Sequence, residues 1–169
     1  MKKLAIFLFF VTFAVLFGGY DLKLDGKFRT LDDNGLPENW YISDTGSVKM
    51  VPGKEREYQA VQITAENKEV IIRSRNAFKV DKRYFLKVDA EVKGNGSGFI
   101  GVEVFNRSGQ KIAFKKLKNF SASSYYRDVE CKVKISEISA ECDAVKIVIG
   151  INENSVVSVC DIEAEVDDD

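Results

Sequence analysis

The sequence predicts an all-β protein, an antiparallel β-sandwich, on three observations. Apolar and polar residues alternate in short runs, turn residues separate those runs, and no segment keeps the three-and-four spacing of a helix for ten residues. In YFLKVDAEV, residues 84–92, Tyr84, Leu86, Val88, Ala90 and Val92 share one face while Phe85, Lys87, Asp89 and Glu91 share the other.

The N-terminus is an address and not part of that pattern. MKK supplies positive charge and LAIFLFFVTFAVLF an unbroken apolar run ahead of Gly18 and Gly19, which predicts a signal peptide over 1–19 and a single domain over 20–169. The run is shorter than the roughly 20 residues a membrane-spanning helix needs, so no stable membrane insertion is expected once the segment is removed. The position three before the cut is Leu16 or Phe17, where a small residue is usual, and this leaves an uncleaved anchor as the second reading.

Further runs follow in order. Val61, Ile63 and Ala65 alternate in VQITA, and the 84–92 run passes through GNGSG to FIGVEVF, a strand-turn-strand pattern with Ile100, Val102 and Val104 on the core side. Val129, Cys131, Val133 and Ile135 form the next, Val145, Ile147, Ile149 and Ile151 another, and Cys160, Ile162, Ala164 and Val166 the last. SEISAEC, 136–142, has room for one helical turn. Seven or more short strands without a helix of useful length make a sandwich, with Leu86, Val88, Val102, Val104, Ile147 and Ile149 between the sheets.

Composition excludes several classes of function. The 25 basic and 26 acidic residues are interspersed, so no basic block is available to neutralise phosphates and nucleic acid is not a partner. There is no histidine, which removes the commonest general base and zinc ligand; no Ser lies in a G-x-S-x-G elbow, and no metal or cofactor is implied by any motif. Glycoside hydrolysis needs two carboxylates about 5–10 Å apart, and the scattered acids do not single out such a pair. The chain reads as a non-enzyme. Cys131, Cys142 and Cys160 allow at most one disulfide in an exported chain; parity puts Cys131 and Cys160 on the core side, the pair to expect if one forms.

The stretch GKFRTLDDNGLPENWY, 26–41, resembles the N-terminal signature of jelly-roll carbohydrate-binding modules of the galactose-binding-domain-like type. NAFKVDKRYFLKVDAEVKG, 76–94, is similar to that family's lead into a central strand, and VSVCDIEAEV, 157–166, to its closing strand. The resemblance implies a jelly roll and an exported, non-catalytic domain, extracellular or periplasmic, that binds a glycan or polysaccharide weakly. A structural or adhesion sandwich contacting a protein partner is the alternative. In that family an acid after the first-strand aromatic joins the closing-strand Asp around a calcium ion. Here Phe28 is followed by Arg29, so no metal is expected, and an Arg29–Asp161 ion pair is predicted in its place.

Sugar recognition requires aromatic faces beside planar polar groups. Asn34-Gly35 and Pro37 aim the sole tryptophan, Trp40, at a fixed spot, where it is read as a cover on the core, with an exposed platform for a sugar ring as its functional alternative. The candidates for ligand contact are Tyr41 and Tyr58, flanking a loop-rich segment; Tyr125 and Tyr126, at a strand entry after NFSASS; and Phe99, Glu103 and Phe105, on the non-core parity of their strand. KKLKNF, 115–120, reads as a solvated loop, with contact to acidic sugars or to a surface as its functional alternative.

Overall fold

The computed structural model describes residues 19–55 and 57–168. The predicted signal segment, apart from Gly19, lies outside the described residues. Twelve strands follow one another: β1 (Tyr20–Asp21), β2 (Trp40–Ile42), β3 (Val48–Pro52), β4 (Gln59–Ala65), β5 (Val70–Ser74), β6 (Phe78–Lys79), β7 (Phe85–Asn95), β8 (Ser97–Phe105), β9 (Lys111–Ser121), β10 (Arg127–Lys134), β11 (Ala144–Ile151) and β12 (Ser155–Asp167). One α-helical turn among the described residues, α1 (Ile135–Ile138), falls at the start of the segment that left room for it.

The strands form two antiparallel sheets. The first has the order β10-β7-β12-β4-β3, with β1 paired to the far half of β12; the second has the order β2-β5-β11-β8-β9, with β6 paired to β11. Period-2 burial does what the sequence predicts, and Leu86, Val88, Val102, Val104, Ile147 and Ile149 are all fully buried in the core between the sheets. The turn between β7 and β8 is as tight as its glycines permit, with Gly96 at φ 121°.

The stretch before Trp40 is built as its residues suggest. Asp32 Oδ1 accepts hydrogen bonds from the backbone N–H groups of Asn34 (2.9 Å) and Leu36 (3.0 Å), Gly35 takes φ 72°, and Leu31 bridges to Pro37. Trp40 is then buried edge-on to Phe28, ring centroids 5.7 Å apart, and its indole N–H donates to the Asp25 carbonyl at 3.0 Å. Its polar tip is satisfied, and the ring closes one end of the core.

Two expectations about individual positions are corrected. The closing strand does not alternate regularly, because a bulge between Cys160 and Glu163, with Asp161 at φ 47°, resets the parity. Val157 and Val159 point into the core before the bulge and Ile162, Ala164 and Val166 after it; Cys160 faces outward against Glu91. Cys131 faces the core from β10, two strands away, so the pair lies on opposite faces of one sheet and cannot be bridged. All three thiols are free. The second correction concerns KKLKNF, which is not a loop but part of β9, the edge strand of the second sheet.

Candidate functional site

Outward positions of the second sheet collect four of the seven predicted contact residues. Tyr41 stands opposite Arg73 across β2 and β5; Arg73 stands opposite Val148 on β11; Glu103 and Phe105 lie on β8, and Lys111 and Phe114 on β9. Arg73 reaches over β11 to Glu103, its Nη1 donating to Oε1 at 2.7 Å, and Lys111 Nζ donates to the same oxygen from the other side at 2.6 Å. The guanidinium carbon sits 4.4 Å from the centroid of the Tyr41 ring. Because the arginine stem covers it, outward-facing Val148 is only 1% exposed.

The result is one polar row, Tyr41–Arg73–Glu103–Lys111, running across five strands. Four strand spacings of about 4.8 Å make it roughly 19 Å long, enough for several consecutive sugar rings. Glu103 is 6% exposed. Burial alone would raise its pKa, but the hydrogen bonds from Lys111 and Arg73 outweigh burial and hold the carboxyl below its ordinary value. It is therefore a fixed anion that orients two cations.

Phe99 belongs to the same face yet is wholly covered. Its ring lies over Gly150, where an added Cβ would stand 2.1 Å from Phe99 Cζ, and under Lys116, whose ammonium is 3.8 Å from the centroid and 3.1 Å from Glu69. Phe99 meets Phe114 edge-on at 5.9 Å, and Phe114 is 40% exposed. With Lys116 in this position the ring supports the face and offers no open surface. Phe105 is half-buried, with Lys146 Nζ 5.7 Å from its centroid. Open aromatic surface on the face thus comes from Tyr41, Phe114 and part of Phe105.

The other three predicted residues lie away from this face. Tyr126 is half-buried against the first sheet, its hydroxyl 3.3 Å from the Pro52 carbonyl, and burial first, then the neighbouring Cys160, pushes its pKa up to about 12. Tyr125 is 69% exposed beside it in the chain, and the strand begins only after both, at Arg127, so neither enters the core. Tyr58 sits under Lys27 at 4.4 Å.

Lys27 also decides the metal question. Its Nζ lies 3.4 Å from Asp161 Oδ1 and 3.8 Å from Glu163 Oε1, and it donates to the Tyr58 hydroxyl at 3.1 Å. An ammonium among those oxygens repels a calcium ion, so these residues do not fit the metal that the resemblance implies. A cation does face Asp161, but it is Lys27 and not Arg29. Among the described residues, no three acidic, Cys or His side chains are grouped to hold a metal ion. A cleft of about 330 Å³ on the first sheet, between the 21–24 segment and the 162–165 part of β12, contains no aromatic ring.

Arg73, Lys111, Lys116, Lys146 and Phe114 had no signal in the sequence that tied them to Glu103. Only the register of strands distant in sequence puts them together.

The fold is that of a jelly-roll carbohydrate-binding module. The CBM22-1 xylan-binding domain of Paenibacillus barcinonensis Xyn10C matches with a TM-score of 0.62 and 11% identity, over 90% of this chain and 97% of that one. The family 11 carbohydrate-binding module of Lic26A-Cel5E from Clostridium thermocellum matches at 0.57 and 12%, over 87% and 94%. A cyclase from Fischerella sp. TAU matches at 0.60 and 6%, over 88% and 98%, so the fold by itself does not fix the function. The chain spans only 19% of another match, the enzymatically active domain of tailspike protein 4 from bacteriophage CBA120 (TM-score 0.59, 9% identity, 76% of this chain). No protein-family model and no curated protein matches the sequence.

Proposed function

We propose that the chain is an exported, non-catalytic domain that binds a polysaccharide along the outer face of its second sheet. The observation that carries this reading is the Tyr41–Arg73–Glu103–Lys111 row, which sets an exposed ring beside planar, pre-oriented polar groups. Sugar rings offer C–H faces to Tyr41 and Phe114 and hydroxyls to the guanidinium, the ammonium and the free Glu103 oxygen. Catalysis is not part of the reading, because Glu103 is the acid at the centre of the face and two bound cations hold it ionised, which suits a hydrogen-bond acceptor and not a proton donor.

With one or two stacking rings worth about 1 kcal/mol each beyond their buried area, affinities of micromolar to millimolar are expected. The test is titration of a broad polysaccharide panel against wild type, Tyr41→Ala and the Tyr125→Ala, Tyr126→Ala double variant. Binding lost in Tyr41→Ala and kept in the double variant supports this face. The opposite pattern moves the site to the strand-entry tyrosines, and no binding by wild type favours a structural or adhesion role.

A further inference from the structure

We infer that the polysaccharide recognised by this face carries carboxylates, as a polyuronide or an acid-substituted chain does; the inference rests on the reading above and adds the class of ligand. Among the described residues five cations occupy the face, Arg73, Lys79, Lys111, Lys116 and Lys146, against two carboxylates, Glu69 and Glu103. The whole chain carries a net charge of −1, so this excess of three positive charges is a local arrangement and does not reflect the composition.

The distribution within the face is as informative as the count. Glu103 spends one oxygen on both Arg73 and Lys111, so one negative charge serves two positive ones. Lys146 stands directly across from Glu103 in the β11–β8 ladder, yet its ammonium lies by Phe105 and pairs with no carboxylate among the described residues. Lys79, opposite Ala144 at the same end of β11, makes no ion pair either among the described residues. Arg73 Nε is buried without an acceptor.

The excess of positive charge on one face is self-repelling, and a neutral glycan leaves that repulsion in place. A ligand carboxylate between Lys146 and Lys111 relieves it and forms charge-assisted hydrogen bonds, while Tyr41, Phe114 and Phe105 hold the adjacent rings. Anionic character selects the polymer, and stacking selects sugar over other polyanions.

The test uses the full chain and measures binding to polygalacturonate, alginate and glucuronoxylan beside methyl-esterified pectin and unsubstituted xylan, at 50 and 500 mM salt. Tighter binding to at least one acidic polymer than to its uncharged counterpart is expected, weakened by salt and reduced about fivefold by Lys146→Ala, with Lys146→Arg restoring it. Equal, salt-insensitive binding to the acidic and uncharged polymers overturns the inference and leaves the glycan-binding reading intact. Binding to poly-glutamate as tight as to any polyuronide also overturns it, because the face would then read charge alone. Failure of every polysaccharide to bind overturns both.

Discussion

Replacing Glu103 by Gln removes the negative charge at the centre of the candidate row while keeping shape and an acceptor oxygen. In the wild type one nearly buried oxygen accepts two charge-assisted hydrogen bonds, at 2.7 and 2.6 Å. Such bonds are worth about 1 kcal/mol more than bonds to a neutral acceptor, which gives about 2 kcal/mol for the pair. The Arg73 and Lys111 side chains are 32% and 47% exposed, and water recovers part of that loss, so about 1.5 kcal/mol is expected at pH 7. For a domain of this size that is a fall in Tm of about 3–6 °C. The folded-state pKa of Glu103 is depressed, so its contribution is fully present above the ordinary Glu value of about 4.3 and is lost as pH falls through the folded value. Urea unfolding of both proteins between pH 7 and pH 2.5 measures it. The gap between variant and wild type should be widest at neutral pH and narrow steadily in acid. A gap of constant size, or none at pH 7, would refute the account of Glu103 as an ionised anchor.

Three further outcomes are expected. Lys27 holds its ammonium against Asp161 and Glu163, so EDTA and added calcium should leave Tm unchanged; a drop of several degrees on chelation, reversed by calcium, contradicts that reading. Burial pushes all three thiols up to about 11, so alkylation at pH 8 should be slow in the native protein and reach three sites once it is unfolded, whereas a bridged pair would leave one. The single tryptophan is 2% exposed, so its fluorescence should be blue-shifted and resist iodide quenching, and Trp40→Ala should cost about 3–5 kcal/mol in denaturant unfolding.

Much of the sandwich was legible because parity is a local property. Leu86, Val88 and Val102 announce their side of a sheet from their own neighbours alone. Cys160 was misplaced for a local reason that leaves no trace in an apolar pattern: one non-glycine residue, Asp161, in a left-handed conformation shifts everything before it to the other face. The candidate site was legible by halves. FIGVEVF showed that Phe99, Glu103 and Phe105 share a face, but that Arg73 crosses a strand to meet Glu103 depends on the pairing of β11 with both β5 and β8, segments far apart in sequence. The lysines of 115–120 looked like a solvated loop because an edge strand, which needs charge to discourage pairing with another chain, has the same composition.

The pairing of Tyr20 with Val166 brings the first and last strands side by side on β12. The two ends of the sandwich therefore leave it at one corner of the first sheet, with the candidate face turned away on the second. A linker of a few residues suffices to join them, at little cost in loop-closure entropy, and new ends can be opened in the exposed 107–110 turn between β8 and β9. By the same geometry the whole sandwich can be set into a surface loop of a host protein, entering and leaving at neighbouring points, with the Tyr41–Lys111 row still facing solvent.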